Sequence, residues 1–599
     1  MNIRKVAMIS VVSVCLLPDA ALAADWWSTA SYLGGPDGGS VPTAAILSDG
    51  TVVLGAVLGG ASPGGVASTQ LNGASEASAG AVVRLSPDGK SVLSVTRVGD
   101  AVRELAVDGE DNIVVAALAG GLIKLDPGAA TLLWARTEGA AAFRVDVAPG
   151  GAIAALWDTG SPDAVAGEKG AAGKVTVHAA DGSSIGGFSV QRGDGGTNDL
   201  AIDPGGQTVF VGGYKNTSQN GGLTVPFIVA YSPDGAQKKW VAYDYSYADV
   251  FASSDVADSF VSRLHFGADG RLYALGYMAG GNTVFRRDPL ALAEMVELDA
   301  IDQYNEGGRF GGDANRGFYG RYEADSGAFA GGALYAAIDP DPATPYNKSA
   351  LFLFTDEGDI KTDGAGRVYL VAAKNGRVLP YSFDPLGLLT GEGSNGAALT
   401  ILSPDLKERL YVTSFVNTGP GGRGHAVAVR QIAGVDGQSI VYSGRMNVDA
   451  NTGDVFLKEP LQPAPAGMAA GWFGVAAAAP FPGVPWGPEP EGTTGDPGTD
   501  STGDDPDTGS TGDDPGPGST SDDPGPGNTG GDPTPTSGAG ESGPGNTDNT
   551  GPEGGESTGG AASEGDTGCG CRGDTHPRLS GLLVLGVGLL ARRRRVPGT

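Results

Sequence analysis

The chain has three cysteines in 599 residues, Cys15, Cys569 and Cys571, and none in the long stretch between the first and the second. That region cannot be a disulfide scaffold, and a cysteine-based zinc or iron-sulfur site is excluded with it. Histidine is nearly as scarce: His178, His265 and His425 lie far apart, show no ligand-pair spacing and read as ordinary strand or loop residues. Bases are few, 39 Lys and Arg against 69 Asp and Glu for a net charge of -30, so a polyanionic nucleic acid is excluded as the expected partner. Helical periodicity is almost missing. No nucleophile elbow, H-E-x-x-H helix, phosphate loop or dinucleotide fingerprint occurs, and no catalytic residue and no cofactor are assigned. Stability must come from an apolar core, and the residues from Ala24 to about position 484 are enough for one or two domains.

What is present at the start is a leader. Arg4 and Lys5 precede the apolar stretch Val6 to Leu17, followed by Pro18 and Ala21-Leu22-Ala23. This is the charge, core and small-residue pattern of a secretory signal peptide, with cleavage expected after Ala23. Cys15 sits inside the apolar core and is removed with it.

From 485 to 568 the composition turns to Gly, Pro, Thr, Ser and Asp, with near-copies of one nonapeptide at Ser501–Gly509, Ser510–Gly518 and Ser519–Gly527 and a decayed fourth from Asn528. Such a segment cannot bury enough apolar surface to fold. A calcium β-roll would need an inward apolar residue in each turn, which these units lack. Between Glu489 and Asp566 there are eighteen acids and no Lys or Arg. Self-repulsion and proline extend the stretch into a stalk on the order of 50 Å long. Behind it stand Cys569-Gly570-Cys571-Arg572, the apolar run Leu579 to Ala591, and Arg592 to Arg595. As a helix that run spans about 20 Å, short of a bilayer core of roughly 30 Å. The arginines would stay on the cytoplasmic side and hold the segment in the inner membrane while the rest of the chain lies outside. This tail resembles the tripartite sorting signal of myxobacterial surface proteins, the MYXO-CTERM type. The resemblance implies export, processing or lipidation at Cys569 or Cys571 by the export and C-terminal sorting machinery, and a place at the cell surface, anchored in the outer membrane.

The head, 24–484, reads as short strands separated by Asp-Gly and Gly-rich turns. Triplets of strand formers recur: Val52-Val53-Leu54, Ile113-Val114-Val115, Ile153-Ala154-Ala155, Val209-Phe210-Val211, Leu272-Tyr273-Ala274, Val368-Tyr369-Leu370, Leu410-Tyr411-Val412 and Val455-Phe456-Leu457. Most intervals are near the 40 to 50 residues of a propeller blade. The interval from Tyr273 to Tyr369 is long enough for two blades, the second marked by Leu334-Tyr335-Ala336. After the triplets come returning strands that end in Pro-Asp-Gly or Asp-Pro-Gly, such as Val82 to Gly89, Leu122 to Gly128 and Phe227 to Gly235, where Pro presets the turn and Gly supplies positive φ. Two hairpins per unit give an all-β fold, a β-propeller of about seven or eight four-stranded blades. Leu200 to Gly206 running into Val209 to Tyr214 is similar to the SBBP type of bacterial propeller repeat. Asp126-Pro127-Gly128 before Leu133-Trp134, and Asp234-Gly235 before Lys239-Trp240, resemble the PQQ type. Trp26 to Leu33 and Trp472 to Ala477 flank the repeats and are expected to lie together and close the ring.

Two stretches break the repeat: Tyr243 to Phe251, and Gln303 to Tyr322. Their Tyr243, Tyr245, Tyr247, Arg309, Tyr319 and Arg321 are candidate ligand-loop residues, because Tyr gives contact area at low entropic cost and Arg forks bind carboxylates. Asp449 to Asp454 has oxygen ligands at alternate positions but occupies a turn position, so no metal is assigned to it. The reading is a cell-surface propeller that binds a protein or glycan ligand. The alternative is a propeller enzyme, a quinone-dependent dehydrogenase or a glycan-cleaving protein. The lining of the central channel separates the two: acids, Arg and a stacking Trp favour the enzyme, small apolar plugs the scaffold.

Overall fold

A computed structural model of the chain describes residues 26–479, apart from 36, 61, 139–140, 159–172, 191–194, 218–222, 244–257, 279–283, 299–315, 336–350, 353–357, 375–395, 408, 414–422, 436, 448–455 and 466–468. The segments read as signal peptide, stalk and sorting tail, with Ala23, Cys569 and Cys571, lie outside the described residues.

The chain opens with β1 (Thr29–Leu33), whose partner comes last. Blade 1 is β2 (Gly39–Ile46), β3 (Val52–Leu58), β5 (Gly80–Leu85) and β6 (Val92–Gly99), with β4 (Ser68–Gln70) added in parallel outside β6. Blade 2 is β7 (Ala101–Val107), β8 (Ile113–Leu118), β9 (Gly121–Leu125) and β10 (Leu132–Arg136). Blade 3 is β11 (Ala141–Val147), β12 (Ile153–Asp158), β13 (Gly173–His178) and β14 (Ser184–Val190). Blade 4 is β15 (Gly196–Ile202), β16 (Val209–Thr217), β17 (Leu223–Tyr231) and β18 (Lys238–Ala242). Blade 5 is β19 (Ser259–Phe266), β20 (Arg271–Met278), β21 (Arg316–Glu323) and β22 (Phe329–Tyr335). Blade 6 is β23 (Leu351–Phe352) and β24 (Asp359–Thr362), both on β25 (Val368–Lys374), then β26 (Gly396–Leu402) and β27 (Arg409–Thr413). Blade 7 is β28 (Arg423–Arg430), β29 (Gln438–Asn447), β30 (Ala469–Ala479) and, outermost, β1. The first strands β2, β7, β11, β15, β19, β24 and β28 neighbour one another in that order, and β28 returns to β2, so seven blades close a ring around an axis.

Closure is the pairing of the two ends. β1 runs antiparallel to β30 from Thr29↔Val475 to Leu33↔Gly471, as the flanking segments led one to expect. The outer edge of β1 is covered in turn, since Ala30 and Lys458 exchange backbone hydrogen bonds of 2.8 and 3.1 Å. Trp26 packs on Tyr411 of blade 6 with ring centroids 4.9 Å apart, and Trp27 Nε1 donates to the Tyr411 hydroxyl at 3.1 Å.

The core lies between blades rather than inside any one of them. Seven apolar clusters occupy the seven seams: Val115 and Ile123 of blade 2, for example, pack with Val53 and Val82 of blade 1, and Val427 and Trp472 of blade 7 with Leu399 and Tyr411 of blade 6. Each second strand is therefore buried on both faces, which is why it reads as an unbroken apolar triplet and not as an alternation. Six of the eight triplets are second strands. The seventh, Leu410-Tyr411-Val412, belongs to the outermost strand of blade 6, and of the eighth Val455 lies outside the described residues while Phe456 and Leu457 are in no strand. The second strand of blade 7 is β29, which starts on polar Gln438-Ser439. The long interval before Val368 holds one blade with inserted segments, not two, and Leu334-Tyr335 lies in the outer strand of that blade.

The turns explain much of the acidity of the head. Asp108, Asp126, Asp203 and Asp363 each accept two backbone N–H groups of their own turn at 2.6 to 3.0 Å, and Asp88, Asp234 and Asp405 accept one each. In the Asp126-Pro127-Gly128 turn the positive φ, +53°, falls on Ala129 rather than on the glycine. Outer strands reach the turns of the next blade: Trp134 Nε1 donates to Ala180 O at 3.0 Å and Trp240 Nε1 to Ala324 O at 2.8 Å. Both rings lie on a glycine of that turn, Gly182 and Gly327, with φ of +81° and +77°; a Cβ there would stand 2.8 and 2.6 Å from the ring.

Candidate functional site

The inner strands carry the charges of the head's interior. In six of the seven inner strands a bulge interrupts the pairing with the second strand, a device that re-aims side chains. At one level around the axis stand Thr43, Glu104, Arg144, Asp199, Arg263 and Asp359, paired across to Gly55, Ala116, Leu156, Gly212, Leu275 and Val371. From blade 2 to blade 6 the sign alternates: acid, base, acid, base, acid. Asp146, His265 and Lys361 lie two residues further along their strands.

Six of these charges are matched to a backbone group on the next blade. The acids accept N–H: Val145 N donates to Glu104 Oε2 (2.9 Å), Ile202 N to Asp146 Oδ2 (2.9 Å), Leu264 N to Asp199 Oδ2 (2.8 Å) and Val427 N to Asp359 Oδ2 (3.2 Å). The arginines give to carbonyls: Arg144 Nε donates to Asn198 O (3.2 Å) and Arg263 Nε to Gly358 O (2.8 Å). Thr43 Oγ1 accepts from Leu105 N (3.1 Å), and Arg430 Nη1 donates to Ile46 O (2.9 Å), so all seven seams carry such a bond. A charge-assisted hydrogen bond in a low-dielectric site is stronger than a neutral one, and these fix the register of neighbouring blades.

The cluster is electrostatically tight. Burial and the neighbouring Asp199 push the Glu104 carboxyl up to about 7, against the opposing pull of Arg144, Arg263 and Lys361. Burial likewise raises Asp199 and Asp146. Burial works against the Lys361 ammonium, but the carboxylates of Asp359, Glu104, Asp146 and Asp199 outweigh it and hold its pKa above the usual lysine value. His265 is held well below the usual imidazole value by burial and by Lys361, and its Nε2 lies 3.0 Å from Thr362 Oγ1. Four charged groups from four blades thus act on Glu104 across one axial space. Acids and arginines line it; no Trp stands on an inner strand among the described residues. Among the described residues no group of three His, Cys, Asp or Glu side chains could hold a metal ion.

The candidate loop residues fall elsewhere. Tyr243 follows β18 with φ +59°, is 1% exposed, and shares a 2.9 Å hydrogen bond between its hydroxyl and that of Tyr322, edge-on to Phe285. Burial and Tyr322 push its phenol well above the usual value. It fixes the segment 284–298, whose Pro289 O accepts the Tyr243 N–H at 2.8 Å. Tyr319 is 1% exposed inside β21, in the seam between blades 5 and 6. Arg321 joins blades, donating from Nε to Ala330 O (2.9 Å) and from Nη1 to Pro404 O (2.7 Å). These three are packing residues, and the ligand-loop reading passes to Tyr245, Tyr247 and Arg309, which lie outside the described residues, as does the Asp449 to Asp454 turn. The axial charges went unassigned in the sequence. Their signal was a charge four residues before the turn residue: Glu104 before Asp108, Asp199 before Asp203, Asp359 before Asp363.

No family model and no curated protein matches the chain, so the SBBP, PQQ and sorting-tail resemblances stand on their residues alone. Similar solved structures include a protein of unknown function from Bacteroides caccae, with 9% identity, a TM-score of 0.31, and 56% of this chain and 89% of that one covered. Another is a chain of a mitotic checkpoint complex, with 11% identity, a TM-score of 0.34, and coverage of 76% and 99%. A third is BamB from Moraxella catarrhalis, with 11% identity, a TM-score of 0.33, and coverage of 74% and 99%. Likeness at these scores carries no argument, and the propeller rests on its own sheets.

Proposed function

We propose that this chain is an exported propeller held at the cell surface on its acidic stalk, where it works as a binding module for a protein or glycan. The observation that carries this reading is the use of the channel charges: Glu104, Arg144, Asp146, Asp199, Arg263 and Asp359 are each bonded to the backbone of a neighbouring blade, and no Trp stands beside them on an inner strand among the described residues. An enzyme's channel would set a stacking aromatic beside such groups to hold a substrate. Recognition then falls to the excursions that leave the repeat, which hold Tyr245, Tyr247 and Arg309. The signal peptide and the Cys569-to-Arg595 tail support the location.

The test is adsorption. Purified full-length protein should bind saturably to envelopes isolated from the producing cells. The Tyr245→Ala/Tyr247→Ala/Arg309→Ala variant should bind at least about tenfold more weakly, the scale of losing one or two hot-spot side chains, with its melting temperature unchanged. Equal adsorption by the variant would overturn the assignment to these loops.

A further inference from the structure

The axial cluster has donors that the ring does not use. Arg263 is 6% exposed and its Nε is bonded to Gly358 O, but its buried Nη1 has no hydrogen-bond partner among the described residues. A guanidinium nitrogen buried without an acceptor is destabilising unless something occupies the place in front of it. Among the described residues Lys361 Nζ has a single carboxylate within reach, Asp359 Oδ1 at 3.3 Å, while Glu104, Asp146 and Asp199 act on it from other blades. Glu104 Oε2 accepts from Val145 N. Its other oxygen is available to carry a proton.

The charge balance says what could enter. With Glu104 ionised, four carboxylates (Glu104, Asp146, Asp199 and Asp359) face three bases (Arg144, Arg263 and Lys361), and His265 is neutral. An anion would then meet net repulsion. With Glu104 protonated the count is three against three, and the spare groups are all donors: Arg263 Nη1–H, Lys361 N–H and the Glu104 O–H. Of the elements packed on β7, β2, β3 and β8 bring no titratable side chain and β11 brings Arg144 and Asp146; Arg103 of β7 itself, Arg84 of β5 and Arg97 of β6 are not among the charges that act most strongly on Glu104, which are Asp199, Arg144, Arg263 and Lys361.

We propose that the axial cluster is a binding site for a small monoanion, a carboxylate, taken up together with a proton on Glu104. The anion oxygens accept from Arg263 Nη1 and Lys361 Nζ, and the Glu104 hydroxyl donates to the same group. Only the protonated form of Glu104 is competent, so apparent affinity follows its protonated fraction. That fraction falls about tenfold from roughly pH 6 to pH 8 for a group titrating near neutrality.

Acetate is the probe, measured with the full-length protein by titration calorimetry and thermal melting at fixed ionic strength in carboxylate-free buffers. The expected result is saturable binding with a raised melting temperature near pH 6, about tenfold weaker near pH 8. Glu104→Gln keeps an acceptor for Val145 N and turns an N–H toward the axis, so it should bind acetate equally at both pH values. Lys361→Met should lose the binding. No saturable heat and no melting shift near pH 6 would overturn the proposal. So would equal wild-type affinity at the two pH values, or undiminished binding by Lys361→Met in a protein whose melting shows it folded.

Discussion

Asp108 and Lys124 form the most buried ion pair among the described residues: each side chain is 3% exposed, and Lys124 Nζ stands 2.8 Å from Asp108 Oδ2 and 2.8 Å from Ala180 O of the next blade. Burial pushes the Asp108 carboxyl up, but hydrogen bonds from Lys124, Asn112 and the turn amides outweigh it and hold the group below its usual value of 3.8. Its contribution to stability is present above the unfolded value and is lost as pH falls through the lower folded value. Breaking a buried pair leaves an uncompensated charge, so Asp108→Ala should destabilise the head by about 3 to 5 kcal/mol near neutrality. The gap to wild type should narrow as pH drops below about 3.8, in chemical unfolding followed across pH. A gap independent of pH would show that packing and not the charge matters there. The same residue scale shows what a sequence hides. Glu104 and Asp199 look like exposed strand positions, because a single strand gives no sign that seven of them converge on one axis. Tyr243 looks like a loop aromatic until the 284–298 segment folds over it.

At the scale of the element, β1 is five residues long and buried throughout. Removing 24–35 strips one ladder from β30, removes Leu33 from the seam of blades 7 and 1, and takes Trp26 and Trp27 from Tyr411. Losing even one such buried side chain typically costs 2 to 5 kcal/mol. The truncated protein should therefore melt at least about 10 °C lower, given roughly 2 to 4 °C per kcal/mol for a large domain. An unaltered midpoint with unchanged solubility would rule out a closing role. Elements differ in how openly the sequence announces them. Second strands stand out because both faces are buried, which leaves Val52-Val53-Leu54 or Val209-Phe210-Val211 no polar partner. Strand β29 starts on Gln438-Ser439 and escaped that pattern. Blade 5 kept its four strands but separated them with insertions, so spacing alone suggested a blade too many. In the turn at Asp126 the αL position went to Ala129 because what fixes the turn is the Asp126 carboxylate, which holds Ala130 N and Thr131 N at 2.7 and 2.6 Å.

For the molecule as a whole, the head and its tail make separable claims. The propeller stands on its sheets whether or not the tail is cut. If the tail is a sorting signal, replacing both Cys569 and Cys571 by Ala should leave uncut precursor in the inner membrane, and mass spectrometry of the wild-type surface fraction should find no peptide from 579–599. Recovering that peptide at the surface would end the sorting reading.

The chain leaves the described head at the end of β30, and β30 is not an edge strand. It lies between β29 and β1, bonded on both sides. Force applied to the polypeptide beyond Ala479 therefore reaches a strand clamped by two ladders, and to extract it both must fail together. An edge strand could be unzipped one hydrogen bond at a time. Ring closure thus doubles as a mechanical fastening for the C-terminal end of the described head.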